Sequence, residues 1–156
     1  MRLTTKGRYA VTAMLDLAFH SQDNPVTLTE IAARQTISLS YLEQLFARLR
    51  KANIVRGVRG PGGGYQLSQS PEKISVAAII EAENEPIDST KCGGEANCQH
   101  ESMCLTHDLW TGLSDHIYSY LTNITLEDLL VKRDERRNEA QNGDHVMTIK
   151  QTRKQN

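Results

Sequence analysis

Cys92, Cys98, Cys104 and His107 form a C-x5-C-x5-C-x2-H run, four soft or borderline donors within 16 residues. Thiolates select zinc or iron-sulfur clusters over hard cations, and donors this close in sequence can close on one centre. The chain has three cysteines, an odd number grouped in one glycine-rich polar stretch. That grouping fits a metal site in a reducing compartment and argues against a disulfide framework. Structural zinc sites favour two to four residues between cysteines, a knuckle this spacing lacks. Histidine replaces cysteine on some two-iron clusters, so on spacing alone both zinc and a two-iron cluster remain open. His107, three residues after Cys104 and in a first helical turn, is preferred to His100 as the fourth donor, with Glu95 and Glu101 as alternative loop donors. His20, His116 and His145 read as surface or core residues.

A second set of residues suits a nucleic acid. Ser38, Ser40, Tyr41, Glu43, Gln44, Arg48 and Lys51 fall on or near the outer face of an amphipathic helix. Serine, tyrosine and the basic residues can contact phosphates, Gln44 can read adenine, and Glu43 can accept from cytosine N4 in a major groove. Arg56, Arg59 and Gly60 belong to a hairpin whose glycines allow close approach to a phosphate, with Arg59 suited to a minor groove. The run from Gly57 to Gly64 lacks the Gly-Lys-Ser/Thr ending of a nucleotide-binding loop. Neither a nucleophile-base pair nor paired carboxylates at useful spacing occur, so no catalytic residue is assigned and an enzyme is not expected.

The elements that must position these residues follow from periodicity. Val11, Met14, Leu15 and Ala18 mark a helix over 6–20. Thr27-Leu-Thr-Glu30 is a capping box opening a helix over 28–35, and Ser40-Tyr-Leu-Glu43 repeats the pattern for a helix to about 52 carrying Leu42, Leu45, Phe46 and Leu49. Two short helices this close have helix-turn-helix spacing. Residues 54–68 read as a hairpin around Arg59-Gly-Pro-Gly-Gly-Gly64, which completes winged-helix order. A helix follows over 74–83, then a loop over 86–103. Leu105, Leu109, Trp110, Leu113, Ile117 and Leu121 give a long apolar-striped helix, and Thr125 caps a short one through Val131. Beyond 134, only Ala140, Val146, Met147 and Ile149 are apolar, too few to offset ordering entropy, so that tail is expected to be disordered.

The expected fold class is mainly α with a small β-hairpin wing. The expected organisation is a winged helix-turn-helix DNA-binding module over 1–84, a cluster-binding loop over 85–104, a dimerisation helix and short C-terminal helix over 105–134, and the tail over 135–156. The formal net charge of -1 conceals an asymmetry: residues 1–73 carry +5 and the rest -6. A basic half suits a polyanion. No apolar run approaches the roughly 20 residues of a membrane span, and the first residues lack a cleavage site, so a cytoplasmic protein without a membrane partner is expected.

The opening MRLTTKGRYAVTAMLDLAFH, the stretch ISLSYLEQLFARLRKANIVRGVRGPGGGYQL and the Cys92/Cys98/Cys104/His107 spacing together resemble the IscR family of bacterial iron-sulfur cluster regulators, over about residues 1–131. The resemblance implies a homodimeric winged-helix regulator of promoter operators in double-stranded DNA. It implies one [2Fe-2S] cluster per subunit on Cys92, Cys98, Cys104 and His107, supplied by the cluster assembly machinery. It further implies that cluster-bound and cluster-free forms prefer different DNA sites, and that the bound form represses the cluster-assembly operon. Glu43 would then lie at the DNA-reading surface and Arg59 in a minor groove. A nitric-oxide- or redox-sensing regulator of the same fold, or a zinc-stabilised DNA-binding protein without sensing, are the alternatives.

Overall fold

The computed structural model describes residues 4–99 and 102–152, with side chains through Gln141. The chain runs α1 (Thr5–His20), α2 (Leu28–Gln35), α3 (Leu39–Lys51), β1 (Val55–Val58), β2 (Gly64–Leu67), a 3-10 turn (Pro71–Lys73), α4 (Val76–Ala82), α5 (His107–Thr122) and α6 (Leu126–Thr152). This is the winged-helix arrangement, mainly α with one two-stranded antiparallel hairpin.

Capping chemistry sets the helix starts. Thr27 and Glu30 form the reciprocal capping box of α2, each side chain accepting from the other's backbone N–H. The start of α3 differs from the sequence reading. Ser38, not Ser40, is the cap, its hydroxyl accepting from the Tyr41 N–H at 3.3 Å. Thr36 takes a left-handed conformation at the end of α2, so the chain turns at once and Ser38 meets the new helix first. Ser40 is thereby inside α3, and Glu43 has no capping role. Ser75 caps α4 and shortens it to Val76–Ala82.

Leu42, Leu45, Phe46 and Leu49 of α3 are fully buried with Ala10, Ala13, Met14 and Leu17 of α1, Ile31 of α2 and Ile79 of α4. The hairpin pairs Val55 with Leu67 and Val58 with Gly64. It is anchored to the module by the bridge between Val26 and Tyr65, whose ring meets Phe46 edge-on at 5.0 Å. Gly64, at φ +153, lies so close to the Val26 carbonyl that a Cβ there would collide with backbone.

The expected disordered tail is instead helical through Thr152, as part of a 27-residue α6. At 1.5 Å per residue this helix is about 40 Å long. Nucleation is the costly step of helix formation and each further residue adds a backbone hydrogen bond, so an anchored start favours continuation. Here the anchor is strong: Leu126 is fully buried, its N–H donates to the Ile74 carbonyl at 3.0 Å, and Arg133 stacks 3.5 Å over the Phe19 ring of α1. Among the described residues no helix is long and apolar enough to cross a membrane.

One ion-paired knot ties α1 to α2. The Asp16 carboxylate is buried and accepts from Arg34 Nη2 at 2.7 Å and from Gln35 Nε2 at 2.7 Å. Burial alone would raise its pKa, but the hydrogen bonds and charge of Arg34, Gln35 and His20 hold it below the ordinary 3.8. The native state therefore binds that proton less readily than the unfolded chain. Its contribution to stability is present above about pH 4 and is lost as pH falls through the lowered native value. Arg34→Ala would strand the buried carboxylate and is expected to cost about 3 kcal/mol at pH 7. Urea unfolding should show part of that loss recovered near pH 4, where the unpaired Asp16 takes up a proton.

Candidate metal centre and nucleic-acid interface

The chain between α4 and α5 folds back on the start of α5. Gly93, Gly94 and Ala96 all take positive φ, which reverses the loop between Cys92 and Cys98. His107 is the first residue of α5 and is buried. Its Nδ1 lies 3.6 Å from Cys92 Sγ and 3.3 Å from Cys98 Sγ, and the three donor atoms fall within 4.8 Å of one another. Its Nε2 lies 3.3 Å from Thr111 Oγ1, one turn on. Cys104, the fourth expected donor, is not part of that converging group; its sulfur lies 3.9 Å from Thr106 Oγ1. A cavity of about 490 Å³ opens against this group, lined among others by Thr90, Cys98, Cys104, His107, Trp110 and Leu113.

The thiols are unequal. Burial opposes ionisation of Cys92, yet its polar surroundings, Cys98, Gly94, Thr90 and Ala96, bring its pKa down to about 7. Hydrogen bonds from the Cys98 thiol and the Thr106 N–H lower Cys104. Cys98, lowered by the Cys104 N–H but raised more by burial and by the neighbouring Cys104 and Cys92 thiols, ends above the ordinary thiol value. A soft metal takes these sulfurs as thiolates, so binding would release the remaining thiol protons, and Cys92 and Cys104 are already biased toward that form. Three thiols and an imidazole from one short segment fit zinc or a two-iron cluster by donor chemistry. Glu95, an alternative donor, is exposed, and its carboxylate accepts from Asn97 Nδ2 at 3.0 Å. His100 and Glu101 lie outside the described residues.

The second constellation lies on α3 and the hairpin. With its apolar stripe buried, α3 exposes Ser40, Glu43, Gln44 and Lys51, with Ser38 exposed at its cap and Tyr41 half-buried against Tyr9. Arg50, one helical repeat beyond Glu43, is exposed on the same face. Sequence reasoning passed over Arg50, although the same period that selected Glu43 selects it. Arg56, Arg59 and Gly60 are exposed on the wing, and Arg56 reaches Gln66 across the strands at 3.3 Å.

Arg48 stands partly apart from them. Its Nη1 lies 3.2 Å from Oε2 of Glu83, a fully buried carboxylate at the end of α4. Burial pushes the Glu83 pKa up, while the charges of Arg48 and Lys6 pull it back. Arg48 therefore holds a buried carboxylate with one nitrogen of its guanidinium while about a third of its side chain stays exposed, which leaves its expected place on the outer face half-buried.

Comparison with known proteins agrees with this geometry. The Rrf2 family profile, described as an iron-dependent transcriptional regulator, matches residues 3–132. The chain is 59% identical over 134 residues to the HTH-type transcriptional regulator IscR of Yersinia pestis, covering 86% of this chain and 82% of that protein. It is 61% identical over 130 residues to the same-named regulator of Photobacterium profundum, covering 83% and 76%. Among solved structures, T. potens IscR superposes with a TM-score of 0.73 at 38% identity, over 87% of this chain and 90% of that one. CymR, described as the global cysteine regulator of B. subtilis, superposes with a TM-score of 0.73 at 34% identity, over 83% and 95%. These relatives are named as regulators, not as enzymes, and share the DNA-binding winged helix. The chain belongs to the Rrf2 family of transcriptional regulators.

Proposed function

We propose that the chain is a cluster-sensing regulator that holds one [2Fe-2S] cluster per subunit on Cys92, Cys98, Cys104 and His107, and represses the cluster-assembly operon in that state. The observation that carries this reading is the convergence of the Cys92, Cys98 and His107 donors within 4.8 Å at the head of α5. When bound, the cluster supplies a centre whose presence reports cluster supply to the cell. The cluster assembly machinery is its donor. Ser38, Ser40, Tyr41, Glu43, Gln44, Lys51, Arg56, Arg59 and Gly60 form the DNA-contacting set, with α3 in the major groove and the wing beside it.

The active unit in this reading is a homodimer built on α5. Only His107 and Ser114 of that helix are buried, while Leu109, Trp110, Leu113, Tyr118 and Tyr120 are exposed. An apolar face of that extent on one helix matches a two-fold partner, and two-fold symmetry sets paired recognition helices on successive groove faces. Residues 1–84 act as the DNA module, 85–104 as the cluster loop, and the helices beyond as the dimer element.

The route between the two sites is short. Glu83 ends α4, holds Arg48 of α3, and is nine residues from Cys92. Ligation can change DNA preference only through a different free energy in the two forms. Glu43, a carboxylate on the outer face, penalises some bases, and that penalty is what ligation relieves or moves.

Three outcomes are expected. Anaerobically purified protein will be coloured and contain iron and sulfide, and Cys98→Ser will be colourless; a colourless zinc protein overturns the cluster reading. Lys51→Ala will weaken operator binding about equally across sequences and flatten the plot of log affinity against log salt by about one unit of slope, as loss of one phosphate contact requires. Glu43→Ala will change which sites the cluster-free protein prefers in a competition assay, and an unchanged preference removes Glu43 from the selection.

A further inference from the structure

We propose that Asp88, Thr90 and Ser114 form a latch that positions Cys92 for ligation, a role that rests on the metal-centre reading above. The three residues connect the loop to α5 independently of the cysteines. Ser114 is buried two turns after His107, so the pair, with Thr111 between them, makes one polar edge along α5. His107 faces the sulfurs at one end of that edge. Ser114 holds the incoming limb of the loop at the other.

The bonds run in sequence. The Ser89 N–H donates to Ser114 Oγ at 2.8 Å, and the Ser114 hydroxyl lies 3.3 Å from Asp88 Oδ1 and 2.9 Å from the Trp110 carbonyl. Asp88 Oδ1 accepts the Thr90 N–H at 2.7 Å, and Oδ2 accepts the Thr90 hydroxyl at 2.9 Å. Thr90 Oγ1 in turn accepts the Gly94 N–H at 2.9 Å. That last bond bridges from two residues before Cys92 to two residues after it. The cysteine is therefore carried on a closed turn whose base is fastened to the helix that supplies His107.

This arrangement does what a bare loop cannot. A donor on a free segment would lose conformational entropy at every ligation event, whereas the latch sets the separation of Cys92 from His107 beforehand. Partners that orient a ligand typically change metal affinity 10–100-fold when removed. The bonds are also placed where a purely structural role has little to gain, since Asp88, Ser89 and Thr90 are only half-buried and lie outside the module's core.

The test compares Ser114→Ala, Thr90→Val and Thr90→Ser with the unaltered full-length protein. Alanine is favourable inside a helix and valine matches threonine in shape, so all three variants should fold. Cobalt(II) affinity of the cluster-free protein, measured by chelator competition, should fall about 10–100-fold in Ser114→Ala and Thr90→Val and return toward the unaltered value in Thr90→Ser. The visible circular dichroism of the reconstituted cluster should change in the same order, while far-ultraviolet dichroism and the melting temperature of the metal-free protein stay constant. Unchanged affinity and unchanged visible dichroism in the first two variants overturn the latch. Failure of the unaltered protein to bind either cobalt(II) or a cluster overturns the metal-centre reading and the latch with it.

Discussion

The architecture depends on the complete burial of one side of α3. Leu42, Leu45, Phe46 and Leu49 are inaccessible to water, which at about 1.5–3 kcal/mol for each such side chain fixes the face α3 turns to α1, α2 and α4. Because an α-helix has two faces, fixing the apolar one also fixes the other. Ser40, Glu43, Gln44, Arg50 and Lys51 are thereby presented as a rigid outward array. The wing follows from the same packing, since Phe46 carries Tyr65 and Tyr65 bridges to Val26. A recognition surface on rigid elements can be specific in a way that a basic loop of equal charge cannot.

Residues whose chemistry is periodic or local were legible in the sequence, and residues whose role is set by distant partners were not. The α2 capping box, the hairpin and the α5 stripe are local patterns, and each appears in the structure close to where the spacing puts it. Arg48 shows the opposite case. Its helical position permits the outer face, and only Glu83, 35 residues away, draws it inward. The capping residue of α3 differs because the Ser-x-x-Glu pattern points to Ser40, whereas Ser38 caps with its hydroxyl alone once the left-handed Thr36 has turned the chain. The length of α6 was misread because composition counts apolar side chains, whereas the helix is anchored by Leu126 and by a cation over Phe19.

The site divides along the same line. That Cys92, Cys98 and His107 belong together is readable from their spacing, because they lie within one short segment. Their inequality is not readable, since it depends on how the loop reverses through Gly93, Gly94 and Ala96. Nor is the role of Ser114, which has no motif of its own and is seen only once α5 and the Asp88 turn are side by side.

The two halves are held by different forces, and this bears on how they can work together. The module from α1 to α4 is closed by fully buried aliphatic and aromatic side chains and does not need a metal to be ordered. Among the described residues, those between 86 and 106 are absent from that core and are held by hydrogen bonds at Ser114, Thr90 and the backbone of their own turns. Segments with few buried apolar contacts lie at the low end of local stability. A ligand that adds a few kcal/mol therefore changes the loop far more than the module. In the proposed reading the free energy of ligation would be concentrated where the chain leaves Glu83, and Arg48 is the side chain that joins that point to α3. A loop as well packed as the core would bind its group without registering it, and a core as loosely held as the loop would lose the recognition surface whenever the group departed.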